Sequence, residues 1–473
     1  MSAYTHDLVI IGAGPAGMSA AVTARQQGLS VVVLDEQPRP GGQVYRDVTK
    51  ASPAVARLLG PAYRYGNALA RRYADSGAEV RPGSLVWDIA QDLTVTAQQA
   101  NLSFSVRAPQ LLIASGAMEH PSPLPGWTLP GVMNAGAAQI AMKTSASIPD
   151  GRAVLVGGGP LLLLVACQLL RAGGRIAGIV DTMPAGNRGA ALPHLPAALG
   201  APAMLAKGLG MLGTLWRAGV PVFRRAEDVR MEEADGSRRV GAVSFSSEGR
   251  RQRLDADVVL LHHGVVPNTQ ITRLLRVAHQ WSDSQGCWHP AVDAWGETSL
   301  PGCRVAGDGA AIAGALAAEA SGAIAALGAA VAVGRLETGK AATLAGPWRA
   351  RLSRQSRIRP FLDALYRPPA WLIDCADDTL VCRCEEVTAG QVREMARLGC
   401  QGPNQTKFFS RCGMGPCQGR MCGLTVTQIL ARSVGRDPAD VGAYRIRAPL
   451  KPVTLGSVAA LAEPDRITLP PAG

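Results

Sequence analysis

The chain has 473 residues, 47% of them hydrophobic and 18% charged, and 48 Lys and Arg against 36 Asp and Glu give it a net charge of +12. That length suits roughly three domains and that hydrophobic share supports large cores, as expected of a soluble multidomain protein. The basic residues are scattered, with small concentrations at 217–230 and 349–359, which argues against a nucleic-acid groove and favours an acidic protein partner.

Met1 to Ile11 runs straight into an apolar strand with no basic flank or cleavage site, so a cytoplasmic chain is expected. Asp7 to Ile11 reads as a buried strand, Gly12-Ala13-Gly14-Pro15-Ala16-Gly17 as a tight turn into a helix through Gln27, and Ser30 to Leu34 as the next strand, ending in Asp35-Glu36. This is a complete βαβ unit with a dinucleotide fingerprint. Gly12 permits the turn, Gly14 lets backbone approach a pyrophosphate, Gly17 allows helix to pack on strand, and Asp35 stands where a carboxylate would meet ribose hydroxyls. Further segments belong with it: Arg39-Pro40-Gly41-Gly42-Gln43, then the strand Leu111 to Ala114 with its turn Ser115-Gly116, and Thr298 to Asp308 ending in Gly307-Asp308. Together these resemble the two-dinucleotide-domain flavoproteins over about residues 4–335. The resemblance implies FAD bound by Gly12, Ala13, Gly14, Pro15, Ala16, Gly17, Asp35, Glu36, Gly42, Gln43, Ala114, Ser115, Gly116, Gly307 and Asp308.

Ala153 to Val156 leads into a second fingerprint, Gly157-Gly158-Gly159-Pro160-Leu161-Leu162, followed by a long apolar helix and a strand ending at Asp181. Leu162 occupies the third glycine position, where a branched side chain should push helix from strand and impair a nicotinamide site. His262 to Asn268 closes this inserted unit; the adjacent His262 and His263 read as strand-end residues, and the seven histidines show no metal spacing. No close Cys pair follows Gly41 or falls within 122–285, which excludes disulfide reductases of the thioredoxin and glutathione types. The apolar stretch Gly309 to Gly334 is almost all Ala and Gly around Glu319, a tightly packed interior helix rather than a membrane span. A basic, Pro-punctuated connection follows.

Cys382-Arg383-Cys384 and then Cys412-Gly413-Met414-Gly415-Pro416-Cys417 place four thiolates in two close pairs, with Cys422 as a spare. A 2Fe-2S cluster takes four thiolates from such Gly-rich turns. Zinc, which also takes four thiolates, and disulfides remain alternatives. Thr388 reads as an N-cap for a helix over 389–398, and Thr425 to Val434 as a closing helix. This unit resembles the bacterioferritin-associated-ferredoxin type of 2Fe-2S domain, with Cys382, Cys384, Cys412 and Cys417 in the ligand positions.

With Gly-Met-Gly-Pro-Cys-Gln-Gly-Arg and the tail Tyr444 to Val453, nearly the whole chain resembles the alpha subunits of heteromeric dye-linked amino-acid dehydrogenases. That group includes the corresponding subunits of opine oxidase, of D-hydroxyproline and L-proline dehydrogenases, and of hydrogen cyanide synthase. The resemblance implies an electron-relay subunit paired with an FAD-dependent beta subunit of the amine-oxidase-like type and a small ferredoxin-like gamma subunit. It leaves room for an FMN at a subunit interface and for membrane association through an electron acceptor. Two other readings stay open: a stand-alone NAD(P)H-dependent oxidoreductase, and an iron-delivery or redox-sensing module. No acid–base pair stands out as a catalytic site. The expected fold class is α/β with two Rossmann-like domains and a small Cys-rich domain. Its expected boundaries are 1–120 and 289–338 for the FAD domain, 121–288 for the inserted domain, 339–372 for a linker, 373–436 for the 2Fe-2S domain and 437–473 for a Pro-rich tail.

Overall fold

Leu8–Ile11 and Val31–Asp35 carry aliphatic residues without alternation, and both are buried on both faces, as strands inside a parallel sheet must be. In the computed structural model, which describes residues 5–100 and 102–462, they pair in parallel at the centre of a five-stranded sheet. Its order is Cys303–Val305, Gln110–Ile113, Leu8–Ile11, Val31–Asp35, Glu79–Pro82, every neighbour parallel. The strand that ends before Gly307 thus comes from some 190 residues beyond Gln110–Ile113 and closes the edge of the same sheet (303 less 113). A second five-stranded parallel sheet takes its strands from the insertion, in the order Val222–Phe223, Arg175–Asp181, Arg152–Gly157, Val258–His262, Val132–Asn134. The chain is α/β with two Rossmann-like cores. Leu275 and Val277, from the end of the insertion, belong to the same hydrophobic core as Val9 and Leu111.

The Ala315–Ala332 helix is long and apolar enough to cross a membrane by length and composition, yet most of it is buried inside the fold. Its small side chains have a packing cause. A Cβ on Gly322 would lie 2.1 Å from the Ala16 carbonyl oxygen, so the helix crosses Pro15–Gln26 backbone to backbone. Glu319, 1% exposed, is held by Tyr65 Oη at 2.8 Å, Arg72 at 2.9 Å and Arg351 at 2.7 Å.

The stretch 339–372, expected as a linker, forms two helices, Thr338–Ser356 and Arg359–Leu365. Ala341 and Ala345, one turn apart, bury against the Ala-rich helix, which offsets the penalty of the internal Pro347. Within 437–462, the described part of the expected Pro-rich tail, Val441, Tyr444, Ile446 and Leu450 complete the core of the Cys-rich unit. Leu450 N–H also donates to Trp87 O at 2.8 Å. Residues 463–473 lie outside the described ones. Thr388 caps Ala389–Arg397 in a reciprocal capping box with Gln391, and Gly423–Val434 closes the unit.

Candidate functional site

The first fingerprint is built by steric necessity. Gly12 has φ +102° and a Cβ there would meet Ala114 O at 2.6 Å; a Cβ on Gly17 would sit 1.8 Å from Gly12 O. Gly14 and Gly42 face each other so closely that a Cβ on Gly42 would fall 2.9 Å from Gly14 Cα. The mouth of the turn is therefore bare backbone at a helix N-terminus, which is what a pyrophosphate requires. Asp35 accepts from Ala13 N–H and, at 2.7 Å, from Gln37 N–H, so its carboxylate braces the turn from within. Burial holds that carboxyl above the usual range, against the pull of the two amide bonds. Glu36 pairs with Lys451 instead.

The downstream segments converge on this turn. Ser115 Oγ donates to Asn268 O at 3.0 Å, and Asn268 N–H donates to Gly116 O at 3.0 Å. A Cβ on Gly309 would touch Ser115, and one on Gly307 would lie 2.9 Å from Ala16 Cβ. Asp308 Oδ1 accepts from Ala313 and Gly314 N–H at 2.9 Å each, fixing the start of the Ala-rich helix. Lys143, which the sequence reading passed over, packs against the Gln43 segment. It is 6% exposed and donates to Gln43 O and Gln139 Oε1, each at 2.8 Å, and burial pushes its ammonium down to about 7. Its isolation in an Ala-rich helix was the available signal.

The second fingerprint is built differently. Leu162, 1% exposed, stands where Gly17 stands in the first, so this helix cannot approach its turn as closely. A Cβ on Gly158 would meet the Met183 side chain at 2.6 Å, and Tyr366 lies near Asp181 at the strand end. Asn187 Nδ2 ties this cover down through Leu365 O and Arg367 O, at 3.2 and 2.8 Å. His262 pairs with Glu119 at 2.7 Å, and His263, kept neutral by burial, meets Thr182 Oγ1 at 3.1 Å. Both histidines thus serve the inserted unit's own strand ends.

The Cys-rich unit sorts its sulfurs into a trio and a pair. Cys382, Cys412 and Cys422 are buried with their Sγ atoms within 4.8 Å of one another. Cys384 and Cys417 hydrogen-bond to each other at the exposed side. In the trio, thiol donation from Cys412 and Cys422 pushes Cys382 far down, while both donors are held up. Cys422, expected as a spare, therefore belongs to the group. Cys412 follows the C-terminus of Pro403–Ser410, whereas Cys422 caps the N-terminus of Gly423–Val434. A donor set of cysteine alone fits an iron-sulfur centre or zinc, and its division into two groups fits two metal ions. Gln270 Nε2 donates to Gln418 O at 3.2 Å, joining the Asn268 segment to the loop that carries Cys417.

Residues 6–330 match the pyridine nucleotide-disulphide oxidoreductase family, and residues 376–462 match the sarcosine oxidase A3 domain. The chain is 44% identical to the A subunit of opine oxidase from Agrobacterium tumefaciens (strain Ach5), covering 96% of this chain and 92% of that one. It is 34% identical to hydrogen cyanide synthase subunit HcnB of Pseudomonas aeruginosa, covering 94% and 96%. The crystal structure of L-proline dehydrogenase from P. horikoshii superposes with a TM-score of 0.71 at 17% identity, over 96% of this chain and 79% of that one, a likeness of fold.

Proposed function

Because the chain belongs to the pyridine nucleotide-disulphide oxidoreductase family and, over nearly its whole length, to the group of the opine oxidase A subunits and hydrogen cyanide synthase subunit HcnB, we propose that it is the electron-relay subunit of a heteromeric flavin dehydrogenase. An amino acid, imino acid or opine is oxidised at a partner, an FAD-dependent beta subunit of the amine-oxidase-like type. Apolar side chains left exposed, Trp216 on one helix and Phe408 and Phe409 beside the Cys-rich loop, support a chain that works against other subunits.

The first fingerprint is the proposed FAD site. Gly12, Gly14 and Gly42 offer bare backbone to the pyrophosphate, Asp35 keeps the turn rigid, and Asp308 would hold the flavin's ribityl chain. Of the five sulfurs, Cys382, Cys384, Cys417 and Cys422 are the proposed 2Fe-2S ligands. Both thiols are held up by their neighbouring sulfurs; Cys422 is preferred to Cys412 because, once a metal had displaced those protons, its place at a helix N-terminus would favour the bound thiolate, whereas Cys412 follows a helix C-terminus. When bound, the two groups supply the conversion of two-electron chemistry into one-electron output. The observation that carries the reading is Gln270, which docks the Cys417 loop against the segment bonded to Gly116. Met183, Tyr366 and Leu162 support a second dinucleotide fold retained without a nicotinamide cofactor.

The test is spectroscopic. In the anaerobic chain alone, NADH and NADPH should leave flavin and cluster oxidised while dithionite reduces both, and a partner subunit with its substrate should restore reduction. Rapid bleaching by NADPH or NADH without a partner would instead establish a self-sufficient reductase.

A further inference from the structure

Between the Cys-rich unit and the flavoprotein body lies an open cleft. One wall comes from Val266 to Arg273 and from Trp288; the other comes from Leu424, Tyr444 and Ile446. Most of this surface is apolar. Within it, Arg273 Nη2 and Trp288 Nε1 are buried and have no hydrogen-bond partner among the described residues. Such orphaned donors are rare in folded proteins, because each forfeits its hydration without recompense.

The two donors are held as a unit. The Arg273 guanidinium carbon lies 5.2 Å from the centre of the Trp288 ring, and its Nε donates to Thr269 Oγ1 at 3.2 Å. Trp281 packs edge-on against Trp288 at 5.5 Å and fixes the indole. Burial lowers the Arg273 guanidinium only to about 10, so it keeps its charge at neutral pH. A guanidinium N–H and an indole N–H, both without partners on side chains that line an apolar cleft, call for an anion with two acceptor oxygens and a greasy remainder. A phosphate dianion would leave further oxygens buried against Val266, Leu424 and Ile446 without donors, a heavy desolvation penalty.

We propose that this cleft is a binding site for a small carboxylate with an apolar body, seated between Arg273 and Trp288 with its hydrocarbon part against Leu424 and Ile446. The cleft borders the loop of Cys417 and Cys422 through Gly419, Arg420 and Gly423. The proposal invokes neither redox group, so it does not depend on the relay reading above.

Benzoate is the probe, titrated into the full-length chain by calorimetry, with inorganic phosphate at equal ionic strength as the comparison. The expected result is saturable binding of benzoate, weakened at least about tenfold by Arg273→Gln, as loss of a charge-assisted hydrogen bond requires. Trp288→Phe keeps the ring and removes one donor, and should weaken binding about threefold to tenfold; it carries the test should the arginine variant not fold. Three outcomes overturn the proposal: no saturation with benzoate, phosphate binding as tightly as benzoate, or unchanged affinity in Trp288→Phe.

Discussion

A single methyl group at Gly322 should separate two helices that meet at the dinucleotide turn. The added Cβ would lie 2.1 Å from Ala16 O, 2.8 Å from Ala16 C and 2.9 Å from Ala16 Cα, all backbone atoms that cannot swing aside. Reaching an ordinary contact of about 3.4 Å demands a shift of roughly 1.3 Å in a close-packed interior. The Ala315–Ala332 helix has no free side to move toward, since its other face packs on Ala341 and Ala345. Overpacking of this kind costs about 1–3 kcal/mol and belongs at the upper end here; the better helix propensity of Ala returns at most about 1 kcal/mol. Gly210 is the internal control, for a Cβ there meets nothing within 4 Å and it lies within the helix Pro202–Arg217. Gly210→Ala should stabilise by about 0.5–1 kcal/mol. Urea unfolding followed by circular dichroism reads the stability, and the flavin content of purified protein reports the turn, because Ala16 also abuts Gly307. If Gly322→Ala unfolded at the same urea concentration as Gly210→Ala, the backbone-to-backbone crossing would be refuted.

Glu319→Gln removes the charge shared by Arg72 and Arg351; with Arg72 half exposed, the loss should fall near about 3 kcal/mol, measured as a lowered urea midpoint. Lys143 titrates at about 7 in the fold against 10.5 as its ordinary value. Below pH 7 it is charged in both states and the burial penalty is complete; between pH 7 and 10.5 only the unfolded chain keeps the proton, so stability rises with pH. That rise should be about 3 kcal/mol from about pH 7 to about pH 9.5 and should vanish in Lys143→Met, and equal pH slopes in the two proteins would contradict it. Among single Ser substitutions of the five clustered cysteines, those at Cys382, Cys384, Cys417 and Cys422 should each abolish the cluster's visible absorbance and bound iron, while Cys412→Ser keeps both. Loss at Cys412 with retention at Cys422 would reverse the ligand choice.

The βαβ units were legible in the sequence because each rests on local rules: an unbroken apolar strand, a Gly turn and a helix, with the partner strand a short distance on. Leu8–Ile11, Arg152–Gly157 and their helices fall where those rules put them. What was not legible depends on distant partners. The helix across 338–356 contains a proline and few large apolar residues, and only the Ala-rich surface opposite Ala341 and Ala345 makes it buried. Tyr444 looks like part of a loose tail, yet Gly413 and Gly419 are bare because its ring fills the space a Cβ would take, at 2.7 and 2.6 Å. The Cys spacing located the thiolate cluster but not its grouping, since Cys422 reaches Cys382 only once the loop has wrapped that ring.

The two dinucleotide folds in this chain show how one residue position separates similar topologies. In the first, the helix can settle on the turn because Gly17 has no Cβ to strike Gly12 O at 1.8 Å, and the turn stays open to a phosphate. In the second, a similar parallel sheet and the same Gly-x-Gly entry lead to Leu162, whose side chain must be buried between helix and strand. The space above Gly158 is taken by Met183, with the 365–367 segment fastened to Asn187 alongside. A side chain in place of a glycine costs the site its close approach, and once that is lost, covering the turn with the chain's own apolar side chains is the more stable arrangement. Restoring Gly at 162 alone would therefore not restore a nucleotide site while Met183 still lies over the turn.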